Sequence, residues 1–211
     1  MAKIRREEVI AAALDLLNEV GLDALSTRRL AQRLRVESPT LYWHFHDKAS
    51  LLSEMSDFVM ASRHNTPVPK EKHRWPEWFS QNARDFRNAL LAYRDGARLH
   101  AGSRPSEIEL HRVEIKIQYL MSGGMPRDEA LMALLAAGQF TLGCVMEEQA
   151  RQHVETHETG SQLPVATRPT NDLAHVVDLV ATDGSIAFEF GLKLLVDGLR
   201  KRTHERAASQ R

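Results

Sequence analysis

STRRLAQRLRVESPTLYWHFHDK, residues 26–48, is the stretch that decides the fold. Ser26 is placed to cap a short helix whose Leu30, Ala31 and Leu34 face inward. Arg35-Val36-Glu37 then turns the chain. Ser38 and Pro39 suit the N-cap and N1 positions of a second short helix, in which Leu41 and Phe45 share a face. Two short helices joined by such a turn form a helix-turn-helix, whose second helix lies in a DNA major groove with its N-terminal residues toward base edges. With Leu41 and Phe45 as anchors, Thr40, Tyr42, Trp43 and His44 spread over the remaining surface. Exposed aromatics in a row are wasteful on a solvated face. Against DNA they offer apolar contact to thymine methyls and polar tips for phosphates. Packing between helices is the alternative for Trp43 and Tyr42.

The charge pattern around this stretch supports the same reading. The whole chain of 211 residues has a formal net charge of zero. Between Ala24 and Lys48, however, Arg28, Arg29, Arg33, Arg35 and Lys48 face only Glu37 and Asp47. A local basic face is what phosphate contact requires, whatever the rest of the chain carries. Hydrophobic residues make up 43% of the chain, enough for a sizeable core. No uninterrupted apolar run approaches the roughly 18 residues of a membrane span. The opening MAKIRREEVI has charges with no apolar run behind them, so neither a secretory leader nor a membrane partner is expected. Cys144 is the single cysteine, which excludes an internal disulfide and fits a reducing cytoplasm.

Helical spacing continues in both directions. Val9, Ala13, Leu16, Leu17 and Val20 mark one face of a helix that Gly21 can stop. A fourth helix is expected from about Lys48 to His64, with Leu52, Met55 and Val59 as its stripe. Asn65 to Arg74 reads as a linker. Pro76 then opens a helix with Phe79, Asn82, Ala83, Phe86 and Leu90 on one face. A short helix near Gly96 to Ala101 follows, then a break at Arg104-Pro105 and a helix over about Glu107 to Met121. Pro126 starts a long apolar helix to about His153. Residues 155–170 have turn formers and little periodicity. A last helix, about Gly184 to Arg202, carries Ile186, Phe190, Leu194 and Leu195 on one side. The expected class is all-α: an N-terminal helix-turn-helix domain (1–47), a connecting helix (48–64), and a C-terminal helical effector-binding and dimerisation domain (65–211). No nucleophile–base pair or phosphate loop points to an enzyme. His153 and His157 lack the HExxH arrangement and are not expected to bind metal.

The stretch from Ser26 to Lys48 resembles the DNA-binding signature of the TetR family of transcriptional regulators. LLNEVGLDAL (16–25), RDGARLHAGSRP (94–105) and FTLGCVMEEQ (140–149) resemble the tetracycline repressors within it. The resemblance runs from about residue 7 to 150, weakens through 155–180 and returns at Phe188-Glu189-Phe190-Gly191-Leu192. It implies a cytoplasmic homodimer that represses transcription and yields to a tetracycline–magnesium chelate. A tetracycline resistance gene is the implied target. On the DNA side it implies that Arg28 reads a guanine. Thr27, Thr40, Tyr42, His44 and Lys48 would contact phosphates or base methyls, with Pro39 and Tyr42 apolar against the operator and Trp43 beside them. Ser38 stands where the commonest members have a glutamine that reads adenine, which changes operator preference at that base. Arg35 replaces a glycine. A left-handed conformation there is costly for arginine, so a slightly different turn is expected.

On the effector side the residues alone raise one question. Asn82 sits amid Phe79, Ala83 and Phe86, and a buried amide needs a partner in the protein or in a ligand. The resemblance implies that His64, Asn82 and Phe86 contact the drug. It implies that His100 ligates Mg2+ directly, while Ser103 and, from the partner subunit, Glu147 hold metal-bound waters. Arg104, Pro105, Val113, Lys116, Leu131, Leu134, Leu135 and Gln139 would complete the wall. Ser103 replaces a threonine. Lys116 stands where many relatives have a drug-bonding glutamine; it can meet an anionic oxygen or swing away. Gln139 stands where some have histidine. A modified tetracycline or weaker induction is one consequence, and a metal-free ligand is the rival. Gly191 and Gly198, on one face of the last helix, suggest a four-helix dimer interface; packing within one subunit is the alternative.

Overall fold

The computed structural model describes residues 4–157 and 183–209, and among them every regular element is helical. Helix α1 (Arg6–Ala24) opens with a reciprocal cap between Arg5 and Glu8 and buries Val9, Ile10, Ala13, Leu14, Leu16 and Leu17. Its backbone leaves helical geometry at Gly21 (φ 77°, ψ 171°), where the sequence places a stop. Only glycine occupies that region without strain. Helix α2 (Thr27–Leu34) has the expected cap, the Ser26 hydroxyl accepting from the Arg29 N–H at 3.3 Å.

Two local expectations change at the turn. Arg35 does adopt the left-handed conformation (φ 53°, ψ 40°), so the turn keeps the shape that glycine would give it. Two carbonyls, Ala31 and Gln32, accept its N–H and hold it there. Helix α3 (Ser38–Tyr42) is capped one residue early, by extended Glu37, whose carbonyl accepts from the Thr40 N–H at 2.9 Å. Ser38 is thus the first helical residue and Pro39 the second, where an absent N–H still costs nothing. The helix ends at Tyr42, and the Phe45 N–H bonded to the Leu41 carbonyl at 2.9 Å carries the turn onward. Helix α4 (Lys48–Arg63) begins with an Asp47–Ser50 capping box and ends at His64. Leu51, Met55 and Val59 form its buried stripe; Leu52 is only half-buried.

The expected linker contains a 3-10 turn (Lys72–Arg74) that leads into α5 (Trp75–Leu91). After it come α6 (Gly96–Ala101), α7 (Glu107–Ser122), α8 (Arg127–His157) and α9 (Gly184–Ser209). Helix α5 is central and packs on α4, α6, α8 and α9. Helix α8 runs past His153, so residues 155–157 are helical; residues 158–170 of the turn-rich segment lie outside the described residues.

The core forms two clusters. One joins Val9, Leu17, Leu41 and Met55 to Phe86, Leu90, Ala97, Leu99 and Val145. It therefore does not close at the end of the helix-turn-helix but continues into α5, α6 and α8. The other holds Trp75, Phe79, Leu120, Ala133, Phe188 and Leu192. Helix α9 buries Phe188, Leu192 and Val196, whereas Ile186, Phe190 and Leu194 point outward. The two glycines differ: a Cβ on Gly191 would meet Phe140 Cζ at 2.4 Å, while Gly198 faces open space. Gly191 packs within the subunit. Helix α8 is apolar on more than one side, and Arg127–Gln152 has the length and composition to cross a membrane, with a mean hydropathy of 1.5. Gln149 within it is fully engaged, accepting from the Ala97 N–H and donating to the Leu90 and Tyr93 carbonyls. Those bonds tie it into a helical bundle.

Candidate functional site

The helix-turn-helix presents its polar and aromatic residues outward. Arg28, Pro39, Tyr42, Trp43 and Lys48 are exposed; Thr27, Ser38, Thr40 and His44 are half-buried. Trp43 is 88% exposed, so packing between helices is not its role within the chain. The cations divide by partner. Arg33 donates to Glu19 at 2.7 Å and is neutralised. Arg28 and Lys48 have no carboxylate within ion-pair distance among the described residues. Their charge is available to a phosphate or a base edge.

Behind this head, α4, α5, α7, α8 and the end of α6 line a partly open cavity of about 430 Å3. Every effector residue expected from the sequence lines it, from His64 to Gln139. The Phe86 ring lies between two imidazoles, its centroid 5.1 Å from those of His64 and His100. His64 Nε2 is 3.0 Å from Asn82 Oδ1, which gives the buried amide a protein partner, and 3.1 Å from Lys116 Nζ. Burial, reinforced by the Lys116 charge, pushes His64 down to about 3, so the ring is neutral. Burial likewise pushes Lys116 down to about 8. Glu109 is raised by burial although Arg112 lies 2.8 Å away.

The donor set suits a single-histidine magnesium site. His100 Nδ1 lies 3.2 Å from Ser56 Oγ, which leaves Nε2 for another partner. Burial lowers its pKa and favours the neutral ring that a metal needs. Ser103 Oγ donates to the Leu99 carbonyl at 2.6 Å and so can accept from a metal-bound water. Among the described residues no group of three or more His, Cys, Asp or Glu could hold a metal alone, so further ligands to a metal at His100 would come from outside this chain's own side chains. Glu147 is exposed on α8 and does not line the cavity of its own chain.

Two family descriptions match the chain. "Bacterial regulatory proteins, tetR family" covers residues 9–55, and "Tetracyclin repressor-like, C-terminal domain" covers residues 67–203. The chain is a member of the TetR family of transcriptional regulators. Among its relatives, the tetracycline repressor protein class A from transposon 1721 of Escherichia coli is 42% identical over 203 residues, covering 96% of this chain and 93% of that protein. A solved TetR(class A) in complex with 5a,6-anhydrotetracycline and magnesium is 40% identical with a TM-score of 0.72, covering 92% and 96% of the two chains. A TetR variant from Acinetobacter baumannii AYE in complex with minocycline is 38% identical with a TM-score of 0.77, covering 95% and 98%.

In this TetR-family chain, α6 touches both the cavity and the head. At one end the Asp95 carboxylate accepts from the Leu22 N–H at 2.8 Å, just past the break at Gly21. Arg98 donates to Asp23 at 2.8 Å, and the Arg94 N–H donates to Asn18 Oδ1 at 2.9 Å. At the other end, Ser103 Oγ also reaches the Leu52 carbonyl of α4 at 3.3 Å, and the Arg104 N–H reaches Ser53 Oγ at 3.3 Å. Sequence reasoning missed Ser56, Asp57, Glu109 and Arg112, which also line the cavity. The signal for two of them was present: Glu109, Arg112, Val113 and Lys116 share one helical face by spacing alone.

Proposed function

We propose that the chain is a cytoplasmic homodimeric repressor that reads a roughly palindromic operator and lets go when a tetracycline–magnesium chelate fills the cavity. The observation that carries this is the convergence of His64, Asn82, Phe86, His100 and Ser103 on one cavity, one wall of which, α6, is bonded to the reading head. Residues 1–47 form the reading domain, 48–64 the connecting helix and 65–211 the effector and dimer domain. Thr27, Arg28, Ser38, Pro39, Thr40, Tyr42, Trp43, His44 and Lys48 meet the operator, with Arg28 on a guanine. The outward stripe of α9, Ile186, Phe190 and Leu194, together with the open space at Gly198, supports pairing of two subunits. Two heads then read half-sites about 34–36 Å apart.

When bound, magnesium would supply an octahedral centre shared by drug oxygens, water and one imidazole. His100 would offer Nε2 to it, Ser103 would accept from one metal-bound water, and Glu147 of the partner subunit would accept from another. His64, Asn82 and Phe86 orient the drug, and Lys116 and Gln139 adjust which tetracycline fits best. Filling the cavity displaces the 100–104 segment, and its bonds to α4 and those of α6 to α1 carry the shift to the head. Taking the heads from almost fully competent to almost fully incompetent needs about 5.5 kcal/mol of differential affinity. A tetracycline resistance gene is the target that suits such a switch.

The test is a titration of operator-bound protein with tetracycline, with and without magnesium, followed by DNA fluorescence anisotropy. Release that requires both supports the proposal. Unchanged DNA affinity overturns it, and release without magnesium favours a metal-free effector, the reading that Lys116 and Gln139 would then serve.

A further inference from the structure

The charged run Lys70-Glu71-Lys72-His73-Arg74 plays no part in the reading head or the effector cavity. In the fold, part of it meets the far end of α9. Lys72 and His73 on one side, and Arg200 and His204 on the other, line a cleft of about 400 Å3 together with Trp75 and the α7 end at Ser122–Gly123. The cleft shares no lining residue with the effector cavity. Among the described residues no carboxylate lines it.

The cations at this end of α9 divide by partner. Arg202 and Arg206 each pair with Glu129 at 2.6 Å, and Lys201 lies 3.9 Å from Glu205. Arg200 has only Glu77, at 3.6 Å and without a hydrogen bond between them. Lys72, His73 and His204 have no carboxylate within ion-pair distance among the described residues. The two hydroxyls in the cleft are engaged by their own helices: Ser122 Oγ donates to the Tyr119 carbonyl at 2.7 Å and Thr203 Oγ1 to the Leu199 carbonyl at 2.9 Å. The donors left for a guest are the Lys72 ammonium, the Arg200 guanidinium and a ring N–H on each histidine. Helix ends do not decide the sign, because α5 begins at the cleft with its positive end and α7 finishes there with its negative one. The side chains decide it, and they are cationic.

We propose that this cleft is a second ligand site, and that Lys72 and Arg200 bind the diphosphate group of a small molecule in it. Two permanent cations brought together from distant parts of the chain call for a guest with at least two negative charges; a lone carboxylate neutralises only one. A diphosphate also has enough acceptor oxygens to take bonds from the guanidinium, the ammonium and both imidazoles at once. The planar fork of Arg200 matches a pair of phosphate oxygens, and Lys72 acts as a point charge beside it. The volume falls in the range of small-molecule sites, so inorganic pyrophosphate and a nucleoside diphosphate are both sources of the group. The competing role for these cations is to complement the carbonyl end of α7, with no guest at all.

Pyrophosphate, orthophosphate and ADP are titrated calorimetrically into the full-length protein at neutral pH, in about 0.15 M salt and without magnesium. Pyrophosphate should bind with a Kd below about 1 mM, and at least about tenfold more tightly than orthophosphate. The double variant Lys72→Gln/Arg200→Gln should weaken it at least about tenfold, and Lys72→Gln alone serves if the pair fails to fold. Two controls should each change it less than about twofold. Lys70→Gln/Lys201→Gln removes the same charge from residues that do not line the cleft, and Arg28→Ala removes a cation from the reading head. ADP binding more tightly than pyrophosphate supports the site with a nucleotide as the source, and the reverse order supports it with the inorganic ion. No pyrophosphate binding up to about 1 mM overturns the proposal and leaves the cations to the α7 end. An equal loss in the Lys70/Lys201 pair also overturns it, as an effect of surface charge only. So does a loss in Arg28→Ala, which would put the anion on the head.

Discussion

The reading head and the effector cavity use the same kinds of side chain under opposite solvation. At the head, Arg28, Lys48, Tyr42 and Trp43 stand in water with no protein counter-ion among the described residues. In the cavity, Lys116, His64, Asn82 and Phe86 are crowded together and largely removed from water. The head can therefore act through a long-range attraction that salt weakens, as phosphate binding demands. The cavity acts through short-range desolvated contacts, where one misplaced proton or charge changes the outcome. Between them stands α6, which is bonded to both.

The strongest way to break this division is at the junction. Gly21→Ala forces a side chain into a glycine-only conformation and brings its Cβ to 3.0 Å from Asp95 Oδ2. We expect a loss of about 3 kcal/mol in urea unfolding, with weakened operator and drug binding together. A head substitution should separate the two sites instead. Arg28→Ala should cost about 1–3 kcal/mol of operator affinity in an anisotropy titration while leaving drug binding and the melting temperature unchanged.

Acid should act on the cavity side. His64 is held down to about 3, below its ordinary value of 6.5. The unfolded chain therefore takes up a proton below pH 6.5 that the folded chain refuses, and stability falls with falling pH across the window between those values. By pH 5 the loss is about 1–2 kcal/mol, and His64→Leu should flatten that part of a pH series of unfolding midpoints. The smallest effect is expected in the head. Arg35→Gly relieves a left-handed arginine and should raise stability by about 1 kcal/mol, seen as a melting temperature a few degrees higher.

How legible each region was in the sequence follows the same divide. The head was readable because its signals are local: the Ser26 cap, the Asp47 boundary and the Leu30–Leu41–Phe45 anchors lie within a few residues of one another. Its errors were local too. Proline at the second rather than the first helical position looks the same in sequence, and only the extended backbone of Glu37 settles the cap. The arginine at the turn argued for a changed shape, yet two carbonyls hold Arg35 in the left-handed form. The cavity could not be assembled by periodicity, because its lining is spread over several helices and meets only through tertiary packing. Resemblance, not spacing, gathered His64, Asn82 and His100. Ser56 and Glu109 escaped because a serine or carboxylate on an amphipathic helix reads as solvated. Helix α9 shows the limit from another direction. Its two apolar stripes overlap in sequence, and only the fold separates Phe188 and Leu192, turned inward, from Phe190 and Leu194, turned outward.

The cluster that runs from Val9 and Leu41 through Leu90 and Leu99 to Val145 has a practical corollary for chimeras. A head cut at residue 47 and grafted onto an unrelated scaffold would lose the floor on which its own helices rest. A graft that keeps α1 to α8 as one piece carries that floor with it, Val145 included, and would melt as one unit rather than as a loose appendage.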